Sequence, residues 1–298
     1  MKRGWIAIVN PNAGGVRHGR LGADFLHRLG HCVETIVTTA CPGGATQQAA
    51  EAASYSGLVA VGGDGTVAEV LRGMDRTAQR FAVVPAGTGN CLATDLGLVD
   101  GQTALLAIGQ GQTRQIDLME VSLRLKGGGT ARHFLASTTG MGYATEVAVL
   151  AKQRLSRLHR HAYSVAAMLV RPRMRSVLVS IDGAAATREN VTGLIINNTR
   201  HIGAARSFPL AKIDDGLLDV YVLNAGWAMQ CVHDIQMVAG FPLPGTPIPQ
   251  RARSLDLSFD PPETVMLDGD LVEGVTDMEI HCRPSAVTCM GAPGAGTD

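Results

Sequence analysis

Apolar and polar positions follow different patterns in the two parts of the chain. In the first part, short continuous apolar runs alternate with segments of helical spacing, which is typical of a parallel sheet with helices on its faces. The predicted strands are 5–9, 33–38, 58–61 and 81–84, and the predicted helices are 17–30, 45–56 and a stretch after residue 90. This β-α-β-α-β order predicts a three-layer α/β domain.

From about Gln115 the pattern changes to short β-branched or apolar segments, several of them separated by Gly, Asp and Pro turns. Such segments are typical of an antiparallel β-sandwich. The predicted strands are 115–125, 132–138, 177–181, 191–197, 218–223, 255–259, 264–268 and 278–282, and the interruptions are helices near 143–151, 158–170 and 227–239 and a proline-rich loop at 241–249. We therefore expect two domains with a cleft between them. The first domain is residues 1–117, and the tail 283–298 is expected to return to it. The second domain is residues 118–282.

Composition limits the kinds of molecule that the protein is expected to bind and the compartment in which it is expected to lie. The 298 residues include 26 basic and 26 acidic side chains, so no net field favours nucleic acid. The six cysteines show no CxxC pair and no metal-ligand spacing with histidine, which is typical of reduced residues in a cytoplasmic protein. No run of about 18 apolar residues occurs. We expect a cytoplasmic protein, soluble or peripheral to the inner face of a membrane, and the sequence leaves a homodimer open.

Three predicted strands end in polar, glycine-bearing turns, at 10–15, 62–66 and 85–90. Because the carboxyl ends of parallel strands lie at one edge of a sheet, we expect these turns to converge on one ligand. Glycines let a large anion approach the backbone amides, and a following helix adds its unpaired N–H groups. Asp64 would repel a polyphosphate unless a divalent metal or a hydroxyl donor lies between them. The alternative is a glycine turn capped by Asp64 or Thr66.

Several catalytic motifs are absent from the sequence. It contains no GxxxxGK[ST], no GxGxxG after a strand, no GxSxG and no HExxH. The nine histidines are scattered, and each is expected to be a surface or core residue rather than a catalytic base. The glycine turns are therefore neither a Walker loop nor a dinucleotide fingerprint.

Five sequence blocks occur in a characteristic order. They are NPNAG at 10–14, GGDGT at 62–66, PAGTGN at 85–90 with LG at 96–97, DDGLLD at 214–219 and LDGD at 267–270. In order and spacing they resemble the diacylglycerol kinase catalytic-domain family, which includes bacterial lipid kinases and sphingosine kinases. Its nucleotide domain is related to those of NAD kinases and phosphofructokinases, but the DDGLLD block followed by a DG-acid turn is specific to the lipid-kinase branch. The resemblance implies an ATP- and Mg²⁺-dependent kinase that phosphorylates a hydroxyl of diacylglycerol or a related lipid.

The resemblance also implies roles for particular residues. Asp215 would bind the metal with the main-chain oxygens of Lys212 and Leu217, and such hard oxygen ligands suit Mg²⁺. An ordinary acidic turn is the alternative for this segment. The residues implied in ATP binding are Asn10, Thr39, Gly62, Gly63, Asp64, Gly65, Thr66, Gly87, Thr88 and Asn90.

Asp270 lies where the family has a glutamate that accepts the proton of the lipid hydroxyl. A positioned carboxylate can take that proton late in a loose transition state. Aspartate is one methylene shorter than glutamate, so Asp268 is the alternative. Cys91 and Ala144 also depart from the family, because each stands at or near a position where members have aspartate. Both departures indicate an altered acceptor specificity or a weakened activity.

A basic segment bears on the acceptor. Seven basic residues lie between Lys152 and Arg175, and no acidic residue occurs from Val147 to Ile181. With apolar residues interleaved, the segment suits contact with an anionic membrane, although a solvated helix face or an anionic acceptor would also explain it. Two alternatives to a lipid kinase stay open at this point. One is a kinase of a soluble hydroxyl metabolite on the same scaffold, and the other is a nucleotide-binding regulatory protein that has lost catalysis.

Overall fold

The structure is a computed structural model, which describes residues 3–39, 41–155, 162–202, 207–239 and 248–292. The chain divides into two units, each with its own core. The first consists of Met1–Leu118, Ile213–Asp215 and Pro284–Asp298, and the second of Met119–Lys212 and Gly216–Arg283.

A parallel sheet forms the centre of the first unit. Its strands are β1 (Arg3–Val9), β2 (Thr35–Thr38), β3 (Tyr55–Gly62) and β4 (Arg80–Pro85), in the order β2-β1-β3-β4. The continuous apolar runs are buried on both faces, as parallel strands covered by helices require. The register pairs Val9 with Val61 and Val61 with Val84, so the carboxyl ends of three strands are level.

Among the residues of the first unit that the structure describes, six helices connect these strands or follow them. They are α1 (Gly14–Arg17), α2 (Ala23–Cys32), α3 (Gly44–Glu51), α4 (Asp64–Gly73), α5 (Cys91–Asp95) and α6 (Gly101–Gln110). α6 begins with a capping box between Asp100 and Thr103. The segment 17–30, predicted as one helix, is divided between α1 and α2, because Gly19 has a φ of +74° and Gly22 is the N-cap of α2.

Antiparallel strands dominate the second unit. The strands are β5 (Thr113–Leu125), β6 (Thr130–Leu135), β7 (Thr138–Gly142), β8 (Arg175–Ile181), β9 (Thr187–Val191), β10 (Gly193–Asn197), β11 (Leu218–Leu223), β12 (Gln250–Ala252), β13 (Ser254–Leu267) and β14 (Asp270–Met290). β12, β11, β10, β7, β13 and β14 are neighbours in that order. β5 begins, and β14 ends, with residues of the first unit, and Thr288 of β14 pairs in parallel with Arg80 of β4.

The predicted strands 255–259 and 264–268 belong to one strand, β13. Its pairing with β14 shifts register between Ser258 and Glu263 and again before Val265. Pro261 and Pro262 lie at the first shift and cannot donate to the sheet, which explains why the sequence pattern breaks where the strand continues.

Three helices lie in the described part of the second unit. They are α7 (Tyr143–Arg154), α8 (Ala162–Leu169) and α9 (Trp227–Ala239). Of the predicted helix 158–170, residues 158–161 lie outside the described residues, as do residues 241–247 of the proline-rich loop. One core of this unit lies within the antiparallel strands, and a second packs α7 and α8 against residues of β10 and β11 such as Ile195 and Tyr221.

Composition predicts reduced cysteines and no segment that spans a membrane. All six cysteines are free thiols. No helix among the described residues is both long enough and apolar enough to span a membrane.

Candidate functional site

Three strand-end turns meet at the carboxyl edge of the parallel sheet. Asn10, after β1, donates its side-chain amide to the Thr66 hydroxyl in α4 over 3.0 Å. The backbone N–H of Ala86, after β4, donates to the Gly62 carbonyl over 2.8 Å, and that of Gly15 donates to the Ala86 carbonyl over 2.7 Å. The expected convergence of the turns 10–15, 62–66 and 85–90 is therefore present within the first unit.

Two glycines bring the backbones of the second and third turns into contact. A Cβ added at Gly87 would lie 2.5 Å from the Gly63 Cα, and one added at Gly63 would lie 3.0 Å from the Gly87 Cα. No side chain fits at either position without separating the turns. The two turns are therefore in contact through their backbones at Gly63 and Gly87.

Asp64 links the second turn to the third. Its carboxylate accepts the backbone N–H of Asn90 over 2.9 Å and that of Cys91 over 2.7 Å. These donors are at the start of α5, so Asp64 caps that helix from 26 residues away. Burial raises the pKa of the Asp64 carboxyl, and the hydrogen bonds from Cys91 and Asn90 act in the opposite direction.

Asn90 closes the third turn through its side chain. Its carbonyl oxygen accepts the Gly87 N–H over 2.8 Å, and its amide group donates to the Gly87 carbonyl over 3.0 Å. Asn90 has a φ of +57°, a conformation that asparagine tolerates better than most residues. Thr88 is exposed at the tip of this turn.

The remaining predicted nucleotide residue of the first unit, Thr39, follows β2. Its N–H donates to the Val9 carbonyl over 3.0 Å, which places it beside the first turn. Glu69 of α4 was not identified from the sequence. It accepts the N–H groups of Gly43 and Ala45 over 3.1 Å each and so caps α3 next to this edge. The sequence contained one signal for such a partner. Two glycines stand at the start of α3, and the helix has no polar N-cap residue.

The Asp-Asp-Gly turn is anchored to β5. Arg114 forms an ion pair with Asp214 over 2.7 Å, and the Asp117 N–H donates to the Ile213 carbonyl over 2.7 Å. Gly216 has a φ of +73° and ends the turn. Arg114 holds Asp214, and Asp215 is partly exposed.

The donor set of this turn is compatible with magnesium. Among the described residues, no group of three or more His, Cys, Asp or Glu side chains could hold a metal ion. A site at Asp215 would therefore need carbonyl oxygens, such as those of Lys212 and Leu217, besides the carboxylate. One carboxylate with carbonyl and water oxygens is a usual environment of Mg²⁺.

The two aspartates of the DGD turn differ in their surroundings. Asp268 and Gly269 have φ values of +46° and +90° and form the tight turn between β13 and β14. Asp268 is buried and accepts the backbone N–H groups of three consecutive residues, Ala136, Ser137 and Thr138, over 2.7 to 3.1 Å. Asp270, at the start of β14, is exposed. Asp268 therefore holds the β6–β7 connection, whereas Asp270 lies at the protein surface.

The structure groups the predicted residues into three sets. The first unit brings together Asn10, Thr39, Gly62, Gly63, Asp64, Gly65, Thr66, Gly87, Thr88 and Asn90 along one sheet edge. The second set is the turn 212–217, and the third is the DGD turn. The glycine turns and the N-terminus of α4 at the sheet edge suit an anion, and the oxygen ligands of the Asp215 turn suit a hard cation.

Comparison with known proteins finds two family models along the chain. Residues 4–121 match the model of the diacylglycerol kinase catalytic domain, and residues 137–291 match that of the YegS C-terminal NAD kinase beta sandwich-like domain. A diacylglycerol kinase from Bacillus anthracis has a solved structure that covers 98% of each chain at 22% identity, with a TM-score of 0.78. The predicted fold class, an α/β domain followed by an antiparallel β-sandwich domain, is confirmed.

Sequence relatives support the same family. A protein from Stenotrophomonas maltophilia named "probable lipid kinase YegS-like" is 30% identical over 298 residues, which cover 95% of this chain and 94% of the relative. The diacylglycerol kinase of Bacillus subtilis is 30% identical over 236 residues, which cover 75% of this chain and 74% of the relative. The chain therefore belongs to the family of YegS-like lipid kinases, which carry the diacylglycerol kinase catalytic domain.

Proposed function

We propose that the protein transfers the γ-phosphoryl group of ATP to a hydroxyl of diacylglycerol or a related lipid in a magnesium-dependent reaction. The observation that carries this proposal is the set of three strand-end turns that meet at one sheet edge. The names of the relatives, a probable lipid kinase and a diacylglycerol kinase, support a lipid as the acceptor.

The sheet edge has the properties of a phosphate site. The close approach of Gly63 and Gly87 leaves no Cβ between the two turns, and the N-terminus of α4 adds its unpaired N–H groups and its positive dipole end. The Asp64 carboxylate, the expected source of repulsion, is directed at the N–H groups of Asn90 and Cys91. It thus shapes the third turn instead of opposing the phosphates.

In view of the contacts of Asp64, the presence of Cys91 in place of the family's aspartate counts less strongly against kinase activity. The Cys91 side chain is buried, and its backbone N–H is the group that Asp64 binds. Ala144 packs against the second core of the second unit. Neither position requires a carboxylate for the local structure, and we propose an active kinase rather than a regulatory protein without catalysis.

Magnesium would be held by Asp215 with the carbonyl oxygens of Lys212 and Leu217. When bound, the ion supplies a fixed positive charge beside anionic groups. Arg114 and Asp117 keep the turn in place through Asp214 and Ile213.

Asp270 is the better candidate for the proton acceptor. Both oxygens of Asp268 already accept backbone hydrogen bonds, so accepting a further proton would disrupt the β6–β7 connection. In the reaction the lipid hydroxyl oxygen bonds to the γ-phosphorus, ADP leaves, and the hydroxyl proton passes to Asp270.

ADP release from ATP in mixed micelles that contain diacylglycerol tests this function. The wild type is expected to release ADP, and Asp270→Asn to lower kcat at least about a hundredfold with nucleotide affinity kept, which is the usual scale for loss of a general base. Asp270→Glu restores the residue of the family and should retain activity. If the wild type releases no ADP with any lipid alcohol, the function is refuted. Full activity of Asp270→Asn would refute only the assignment of the base.

A further inference from the structure

The outer surface formed by α8, the residues that follow it and the start of α9 is unusually apolar. We call it the α8–α9 surface. Its exposed large apolar side chains are Tyr163, Met168, Leu169, Met174, Trp227, Met229 and Val232. More than half of the area of Met168, Leu169, Met174 and Met229 is exposed. Single exposed apolar residues are common, whereas a group of this size indicates a binding surface.

Residues 227–234, the part of α9 whose side chains are described, show the reverse of the polarity of a helix on a water-soluble surface. Gln230 and His233 are buried on its inner side, while Trp227, Met229 and Val232 are exposed on its outer side. A surface helix normally buries its apolar residues and exposes its polar ones. The outer face of α9 therefore suits an apolar environment.

α8 shows the same preference by residue size. Ala162, Ala166 and Ala167 are buried, whereas the larger Met168 and Leu169 are exposed. Burial of the larger side chains would stabilise the fold more if the protein had no other partner. The larger apolar side chains of α8 are therefore available for contact with a partner outside this chain.

Hydrogen bonds hold the two helices together. The Tyr143 hydroxyl donates to the Ala167 carbonyl of α8 over 2.8 Å and also makes a short contact with Asp234 of α9. Arg171, just after α8, lies 3.8 Å above the ring of Trp227 at the start of α9. α8 and the start of α9 therefore lie side by side.

Charge indicates the partner. Arg171 and Arg173 are exposed, and segments 162–174 and 224–233 contain no acidic residue. Arginine and tryptophan beside exposed aliphatic side chains suit the interface of an anionic lipid bilayer. A symmetric contact between two copies would bring like charges together, which is unfavourable.

We propose that the α8–α9 surface docks on an anionic lipid bilayer, with its apolar side chains in the interface and Arg171 and Arg173 at the headgroups. The inference extends the proposed function, on which it rests for the acceptor, by assigning the surface that brings the protein to the lipid. Its test uses binding alone, so failure of docking and failure of phosphoryl transfer are distinguishable.

Vesicle binding by the full chain tests the proposal. Wild-type protein is expected to co-sediment with phosphatidylglycerol vesicles at low salt and to be released by added salt or by replacement with phosphatidylcholine. The triple variant Met168→Gln, Leu169→Gln, Met229→Gln should lower partitioning about a hundredfold, because three apolar side chains no longer enter the interface. Its matched control changes three residues that are equally exposed elsewhere, Val99→Gln, Leu106→Gln and Leu210→Gln, and should bind as the wild type does.

Fluorescence provides a second measurement. The chain contains two tryptophans, and Trp5→Phe leaves Trp227 as the only one. Its emission should shift to the blue with phosphatidylglycerol vesicles and stay unchanged with phosphatidylcholine. Absence of vesicle binding by the wild type, or undiminished binding by the triple variant, overturns the proposal. A wild-type dimer that the triple variant converts to a monomer would also overturn it and assign the surface to a second copy.

Discussion

Replacing Asp64 tests the role that the structure gives to the acidic residue of the GGDGT turn. Asp64→Ala removes the acceptor of two backbone hydrogen bonds, those from Asn90 and Cys91 over 2.9 and 2.7 Å. Hydrogen bonds to a charged acceptor contribute about 1.5–3 kcal/mol each. Because Asp64 is only partly buried, water can satisfy some of the freed N–H groups, so we expect a loss of about 3 kcal/mol in the free energy of unfolding of the first unit.

That loss corresponds to a melting temperature lower by about 6–12 °C for a unit of this size. ATP affinity should fall at least about tenfold, because a shift of the third turn by an ångström misplaces groups that bind the phosphates. Asp64→Asn should behave similarly, since its NH₂ group would face one of the two backbone donors. Calorimetry gives the melting temperature, and titration with ATP gives the affinity.

Asp24→Ala is the matched control. Asp24 also lies in the first turn of a helix, α2, and is exposed. Its replacement should change the melting temperature by less than about 2 °C and leave ATP affinity unchanged. If Asp64→Ala melts and binds ATP as the wild type does, the link between the two turns is not important and the reasoning fails.

Three further predictions concern Gly87 in the third turn, Asp268 in the DGD turn and Asp234 in α9. Gly87→Ala places a Cβ 2.5 Å from Gly63 and should lower ATP affinity at least about tenfold, whereas Gly30→Ala, in open helical space, should keep it, as titration with ATP will show. Asp268→Asn should lower the unfolding free energy in urea by about 2–3 kcal/mol, because one acceptor oxygen becomes a donor. Burial raises the pKa of Asp234, so its protonated form favours the fold, and this stabilisation is lost as pH rises from the ordinary carboxyl range through the raised pKa. Melting scans should therefore show that Asp234→Asn lacks this part of the pH dependence.

The meeting of the three strand-end turns could be predicted from sequence, but the contacts within them could not. Apolar runs and glycine turns place 10–15, 62–66 and 85–90 at one edge because parallel strands end on the same side. The partners of Asp64 depend on where its side chain points across 26 intervening residues, and no local pattern records that. For the same reason, Glu69 could not be identified from the sequence as the cap of α3.

Asp268 and Asp270 show how turn geometry separates residues that sequence treats alike. Both are aspartates beside Gly269, yet the tight turn buries Asp268 against the N–H groups of the β6–β7 connection and leaves Asp270 exposed. The spacing of α9 predicts a helix at 227–239, but not that Gln230 and His233 face inward. Which side of such a helix is buried depends on its neighbours, and here polar residues of α9 meet the Tyr143 side of the second core.

Transfer of labelled phosphate tests the central claim most directly. The protein is incubated with ATP labelled at the γ-phosphate and, in separate reactions, with diacylglycerol, other lipid alcohols or polar alcohols. Our account predicts that label enters the organic-solvent extract with a lipid alcohol and that ADP forms in equal amount. Label only in a water-soluble ester would instead indicate a kinase of a soluble metabolite, and ATP binding without transfer to any acceptor would contradict a catalytic role.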